Sequence, residues 1–134
     1  MTDDRFRFTA QVRWSDPDQM GHVNNARYLT YFEDARLAFV ASGPKRDDGQ
    51  AYIAARIAVD YLYPVKFRQG LTLDVQQWVG RVGTTSLTLL GELLDGTQQV
   101  ARSEVVLVAY SYPDDAKRPL TDEEREFLSR YVAR

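Results

Sequence analysis

The residues best suited to chemistry are gathered in one segment, residues 16–36, with the sequence DPDQMGHVNNARYLTYFEDAR. Asp18 stands four residues before His22, which is the only histidine of the chain, and a helical pattern follows. A carboxylate in this place can attack a carbonyl carbon directly or act as general base for water. Both routes need an oxyanion site, which the unpaired backbone N–H groups of a helix start can provide. The segment therefore predicts reaction at a carbonyl group, with Asp18 as the leading candidate.

The same residues also allow purely structural interpretations. Aspartate beside proline often caps a turn, which is the alternative role for Asp16 and Asp18. His22 is either a catalytic imidazole or a hydrogen-bonded structural residue. Asn24 and Asn25 are both good helix N-caps, and we expect one to cap the helix while the other faces a pocket. At the level of sequence these alternatives stay open.

Composition and charge restrict the classes of function. The chain has 134 residues, no cysteine and a net charge of −2. A disulfide, a cysteine-liganded metal and a thiol nucleophile are therefore excluded, and nothing points to nucleic acid. Asp16, Asp18 and His22 form an incomplete set of ligands, so no metal is expected.

The charged start MTDDRFRF is unlike a leader segment, and no run reaches the roughly 18–20 apolar residues of a membrane span. We expect one domain, residues 1–134, in the cytoplasm.

Hydrophobic periodicity predicts an α+β fold with one long helix. Five segments have the alternation or the β-branched content of strands: 6–14, 52–63, 71–82, 84–94 and 99–112. A helical period runs from Asn25 to about Ser42, where Gly43 and Pro44 end it. Residues 121–124 match a capping box and predict a short helix to about residue 132. Because the strands cluster after a single helix, we expect an antiparallel sheet wrapped around that helix.

These residues, taken in order, resemble the 4-hydroxybenzoyl-CoA thioesterase-like branch of the hotdog-fold acyl-CoA thioesterases. The pattern D-x-D-x-x-G-H-V-N-N-A-x-Y fits residues 16–28, and the match continues into the helix. The segments DYLYPVKFRQG (60–70) and VGTTS (82–86) resemble the family's strand and turn after the helix and the turn between its two central strands. The resemblance implies a hotdog fold, in which a five-stranded antiparallel sheet wraps one long central helix, here with a short C-terminal helix.

The resemblance also implies a role for each candidate residue. Asp18 corresponds to the family's catalytic carboxylate, as nucleophile or general base, and His22 is expected to support it. Backbone N–H groups near the helix start, with Asn24 or Asn25, would polarise the carbonyl, and Tyr28 would shape the site. The other candidates are those expected to bind coenzyme A, with Thr84, Thr85 and Ser86 at the pantetheine arm and Arg81, Lys66, Arg68 and Arg102 at the phosphates.

The implied activity is hydrolysis of an acyl-CoA to a free acid and coenzyme A. No cofactor is expected, because the coenzyme A thioester is itself the substrate. The implied assembly is a homodimer or homotetramer, with the site between the helix of one protomer and residues of the other. Two alternatives stay open: a thioesterase that acts on acyl-carrier protein, and a non-catalytic hotdog protein that binds acyl-CoA without hydrolysing it.

Overall fold

One antiparallel sheet and two helices make up residues 5–132, the part of the chain that the computed structural model describes. In chain order the elements are β1 (Phe6–Gln11), α1 (Asn25–Ala41), β2 (Gln50–Tyr61), β3 (Thr72–Val82), β4 (Ser86–Asp95), β5 (Gln98–Ser111), β6 (Ala116–Lys117) and α2 (Asp122–Ser129). The strand order is β1-β3-β4-β5-β2, and the short strand β6 pairs with β5. Every pair is antiparallel, so the predicted α+β class is confirmed.

The helix α1 lies on one face of the sheet because its apolar residues recur at three- and four-residue steps. Its buried residues are Tyr28, Tyr31, Phe32, Ala35 and Phe39. Along β3 and β4 every second residue is buried, which gives the sheet one apolar face toward the helix.

The core falls into two clusters, one at each end of α1. The first joins the N-terminal half of the helix to Val12, Val23 and the start of β3. The second joins Phe39 and the helix α2, through Phe127, to the end of β3 and the start of β4. We name these regions the near end, where α1 begins at Asn25, and the far end, where α2 packs.

Two predicted element ends were wrong. β1 ends at Gln11 rather than at residue 14, because Trp14 lies in a turn with 84% of its surface exposed. α2 ends at Ser129 rather than near Val132, which instead forms a bridge with Val79. The capping box that was predicted to begin α2 is confirmed.

The other differences are smaller. β2 runs over Gln50–Tyr61, two residues earlier than predicted at each end. Leu62 and Tyr63 leave the strand because both donate to the same carbonyl, that of Val100. The two-residue strand β6 was not predicted.

Residues 1–4 and 133–134 lie outside the described residues, and with them part of the segment on which the expectation of no leader rested. Within residues 5–132, neither helix has the length and apolar character needed to cross a membrane.

Candidate active site

The loop that carries the predicted catalytic residues is docked on the segment before β3. Val23 N–H donates to Val65 O at 2.8 Å, and Phe67 N–H donates to Gly21 O at 2.9 Å. His22 pairs with Lys66 in an isolated bridge. Gly21 has φ +80°, a left-handed conformation that residues with a Cβ rarely adopt. The loop is therefore held in one shape by backbone bonds.

Asp18 is exposed, and its carboxylate has one fixed oxygen. Oδ1 accepts from Met20 N–H at 2.8 Å and from His22 N–H at 3.2 Å. The Asp18 N–H in turn donates to His22 O at 2.7 Å. Among residues 5–132, Oδ2 of Asp18 has no hydrogen-bond partner. Asp18 thus caps its turn and, with its second oxygen, faces solvent.

The start of α1 separates the roles of the two asparagines. Asn24 is the N-cap: its Oδ1 accepts from Ala26 N–H at 2.9 Å, and its carbonyl accepts from Arg27 N–H at 2.9 Å. Asn25 is the first helical residue, and within the described chain its N–H has no partner. Its carbonyl accepts from Tyr61 O–H at 2.9 Å. This leaves the Asn25 N–H available at the positive end of the helix dipole.

His22 and Tyr28 lie near this helix start in different environments. His22 is partly exposed, and its side chain has no hydrogen-bond partner in residues 5–132. Tyr28 is buried at 2% exposure, donates to Tyr63 O at 3.4 Å and meets the ring of Tyr61 edge-on. Burial raises the pKa of Tyr28, so its hydroxyl stays protonated. Tyr28 is therefore a core residue, and it supports the start of α1 from the side of the protein core.

Asp16 was not among the predicted site residues, but it anchors the loop. It is buried, and its Oδ2 accepts from Tyr31 O–H at 2.6 Å and from Arg13 N–H at 2.9 Å. Arg27 Nε lies 3.6 Å from Oδ1. The sequence signal for this contact is Tyr31 on the apolar stripe of α1, because a buried tyrosine hydroxyl needs a partner.

The predicted coenzyme A residues Arg81, Thr84, Thr85 and Ser86 lie at the far end. β3 starts beside the end of β1, near the loop, and ends at Val82. The turn that follows is closed by a bond from Gly83 N–H to Ser86 O and is held to the α2 region by Leu120 N–H, which donates to Thr84 O. Within one protomer the structure does not bring this turn to Asp18.

The four basic candidates for phosphate binding differ in how they are paired. Arg68 makes two bonds to Asp95, and Arg102 bonds to Asp60. Lys66 and Arg81 are exposed and, in the described part of the chain, have no ion-pair partner. Of the two, only Lys66 lies beside the loop, through its bridge with His22. Residues 5–132 contain no group of three or more His, Asp or Glu side chains that could hold a metal ion.

Comparison with known families identifies the class of protein. Residues 12–128 match the family model of the thioesterase-like superfamily. The chain belongs to this superfamily. Its hotdog fold and its thioester-hydrolase class follow from that membership and agree with the α+β architecture and the loop before α1.

Three proteins illustrate what the chain is similar to. The chain is 33% identical to YsmA of Bacillus subtilis over 87% of its own length and 80% of that protein. It is 27% identical to the acyl-CoA thioesterase YbgC of Haemophilus influenzae, over 78% of the chain and 80% of YbgC. A Thermus thermophilus thioesterase, solved in complex with coenzyme A and zinc, superposes with a TM-score of 0.83 at 29% identity, covering 96% and 94% of the two chains.

Proposed function

We propose that this protein hydrolyses an acyl-CoA to a free acid and coenzyme A, with Asp18 as nucleophile or general base. The observation that carries the proposal is the carboxylate of Asp18, which is fixed through Oδ1 and open at Oδ2. It lies in the loop that leads into the unpaired N–H of Asn25. The superfamily membership and the coenzyme A complex of the Thermus thermophilus relative support the choice of substrate.

The chemistry follows from these two groups. In the nucleophilic route, Asp18 Oδ2 bonds to the thioester carbon and the carbon–sulfur bond breaks, so that coenzyme A leaves as a thiolate and water then opens the mixed anhydride. In the general-base route, Asp18 takes a proton from the water that attacks the same carbon, and the carbon–sulfur bond then breaks, so that coenzyme A leaves as a thiolate. In both routes the N–H of Asn25 stabilises the developing oxyanion. His22, partly exposed on the same loop, supports the site.

Lys66 is the best-placed residue of one protomer for a phosphate of coenzyme A. It is exposed, has no ion-pair partner within residues 5–132 and lies beside His22. A free ammonium can pair with a phosphate without first breaking a salt bridge, whereas Arg68 and Arg102 must give up Asp95 and Asp60.

We also propose that two protomers pair through β2 to complete the site. β2 is an edge strand of 12 residues, and its middle, residues 54–57, is exposed, including Ile57 at 47%. A long exposed edge is a template for another strand. Antiparallel pairing would run the Tyr61 end of one β2 along the Gln50 end of the other. The partner's Arg81 and its 84–86 turn, which lie at that end of the sheet, would then approach the first protomer's Asp18.

The assembly is tested by sedimentation velocity on the wild type, Ile57→Lys and Thr9→Lys. Thr9 is the matched control, because it is exposed on β1, the other edge strand. We expect the wild type and Thr9→Lys to sediment as a dimer or tetramer, and Ile57→Lys to shift toward monomer because a charge then enters the paired edge. A monomeric wild type would overturn the assembly, and equal behaviour of all three would overturn the role of β2.

The activity is tested with a panel of aromatic and fatty acyl-CoAs, the matching acyl-carrier proteins, and a binding measurement with acyl-CoA. We expect free thiol to be released from at least one acyl-CoA faster than from its carrier-protein counterpart. Faster release from the carrier protein would establish the first alternative, and tight binding without release would establish the second. One domain over residues 1–134, a cytoplasmic location and independence of a cofactor stay predictions.

A further inference from the structure

Asp16 closes the base of the loop that carries Asp18. The residue is only 4% exposed, and its carboxylate accepts from Tyr31 O–H and Arg13 N–H, with Arg27 beside it. Its carbonyl accepts from Asn24 N–H at 3.0 Å, and Pro17 bridges Val23. The two ends of the loop, residues 16–17 and 23–24, are therefore bonded to each other where they leave the protein core.

The same carboxylate ties the loop to the body of α1. Tyr31 lies two turns into the helix, on its buried stripe, and packs against the near-end core. Because its hydroxyl bonds to Asp16 at 2.6 Å, the loop base is fixed relative to the helix axis. Burial and the neighbouring Asp16 carboxylate raise the pKa of Tyr31, so the hydroxyl remains a donor across the working range of pH.

We propose that Asp16 and Tyr31 are a positioning pair that sets the Asp18 carboxylate relative to the first N–H of α1. This inference rests on the proposed hydrolase function. Both residues are buried, Asp16 at 4% and Tyr31 at 3% exposure, so they act through the loop rather than by contact with substrate. The carboxylate and the oxyanion donor sit on two different segments, the loop and the helix. Asp16 links those segments through two side chains of α1, by the hydrogen bond from Tyr31 and the ion pair with Arg27.

The central test is Tyr31→Phe, which removes one hydroxyl and keeps the ring in the core. Displacements of about 1 Å at a catalytic group cost on the order of 100-fold in rate, so we expect kcat to fall about 10- to 100-fold with KM within about 2-fold. The matched control is Tyr52→Phe at the far end, which also removes a tyrosine hydroxyl from a buried carboxylate, Glu124. We expect Tyr52→Phe to leave kcat unchanged.

A conservative variant separates hydrogen bonding from charge. Tyr31 O–H and Arg13 N–H both bond to Oδ2 of Asp16, so an asparagine with its oxygen in that place keeps both bonds and loses the charge and the acceptor that face Arg27. We expect Asp16→Asn to lower kcat by less than about 5-fold, the difference between a charged and a neutral hydrogen bond, and Asp16→Ala to lower it as much as Tyr31→Phe. If Tyr31→Phe fails to fold, the difference in kcat between Asp16→Asn and Asp16→Ala still tests the positioning pair.

A second readout is independent of activity. His22 is the chain's only histidine, so in protein free of a histidine tag its imidazole gives a single set of NMR signals from the middle of the loop. We expect Tyr31→Phe to shift or broaden the His22 Cε1–H signal and Tyr52→Phe to leave it in place. An unmoved signal together with an unchanged kcat would overturn the inference. A shifted signal in a protein that hydrolyses no thioester would support the positioning pair and overturn the proposed function instead.

Discussion

At each end of α1 a buried carboxylate accepts a hydrogen bond from a tyrosine and pairs with an arginine. At the near end the group is Asp16 with Tyr31 and Arg27. At the far end it is Glu124, which accepts from Tyr52 O–H, from Thr121 N–H at 2.9 Å and twice from Arg118, at 2.7 and 3.0 Å. In both groups the buried carboxylate has hydrogen-bond and ion-pair partners, without which a buried charge would destabilise the fold.

The two ends differ in what the buried group holds. Glu124 fastens one helix, α2, to the sheet, and Phe127 of that helix packs on Phe39. Asp16 fastens a loop that exposes a second carboxylate, Asp18, ahead of the Asn25 N–H, which has no partner within residues 5–132. A buried Asp or Glu with a tyrosine and an arginine is therefore a structural device at both ends. In the proposed mechanism, reactivity comes from the exposed carboxylate of Asp18, which only the near-end group positions.

Apart from the loss of the Asp18 carboxylate itself, the largest effect is expected from removing the N–H at the start of α1. Asn25→Pro deletes the proposed oxyanion donor, while proline suits the first helical position and Asn24, at φ −62° and ψ 137°, is already compatible with a following proline. Loss of one oxyanion donor costs about 10²- to 10³-fold in kcat. We expect steady-state acyl-CoA hydrolysis to fall by that factor with little change in melting temperature.

Asp122→Pro is the matched control, because Asp122 is the first residue of α2 and Thr121 is also extended, at φ −75° and ψ 163°. It removes the equivalent N–H at the far end, and we expect full activity. Equal losses from both proline variants would mean that helix starts matter for folding alone, and equal activities would remove Asn25 N–H from the oxyanion site.

The next largest effect concerns stability. It distinguishes the far end from the near end, because the contribution of Glu124 to stability depends on pH. Burial raises the pKa of Glu124, but the bonds from Arg118, the Thr121 N–H and Tyr52 lower it to about 2, below its usual 4.5. A carboxyl whose folded pKa is lowered stabilises the fold above the unfolded pKa, and this stability is lost as pH falls from about 4.5 toward about 2. We expect Glu124→Gln to lower the free energy of unfolding by about 3 kcal/mol at pH 7.

Urea unfolding of the wild type and Glu124→Gln, repeated between pH 7 and pH 2.5, measures both expectations. The difference between the free energies of unfolding of the two proteins should narrow as pH falls, because only the wild type has the charged pair to lose. A gap that stays constant with pH would show that the carboxylate charge does not stabilise the far end. Activity per folded molecule should be equal in the two proteins at pH 7.

The smallest effect is expected from Lys66→Ala. An exposed ion pair with a phosphate contributes up to about 1 kcal/mol, so KM for acyl-CoA should rise about 3- to 5-fold with kcat unchanged. Lys117→Ala, on the exposed strand β6, serves as the control and should leave KM unchanged. An unchanged KM in Lys66→Ala at low salt would place the phosphates elsewhere.

The sequence allowed the architecture to be predicted because each element has its own local signal. The helical period of α1 and the capping box of α2 predicted their starts correctly. The end of β1 was misplaced because Trp14 continues the apolar alternation but has no pairing strand beside it. Asp16 was missed for a similar reason: its partner Tyr31 lies 15 positions along the chain, and no local pattern records that contact.

The central claim is that Asp18, and no other exposed carboxylate, performs the reaction. Its most direct test is kcat/KM of Asp18→Asn on the best acyl-CoA, beside Asp122→Asn at the far end. Asparagine keeps the oxygen that caps the turn, so the fold and the His22 NMR signal should be retained. We predict a loss of about 10²- to 10⁴-fold for Asp18→Asn and none for Asp122→Asn. Full activity of a folded Asp18→Asn protein would contradict the account.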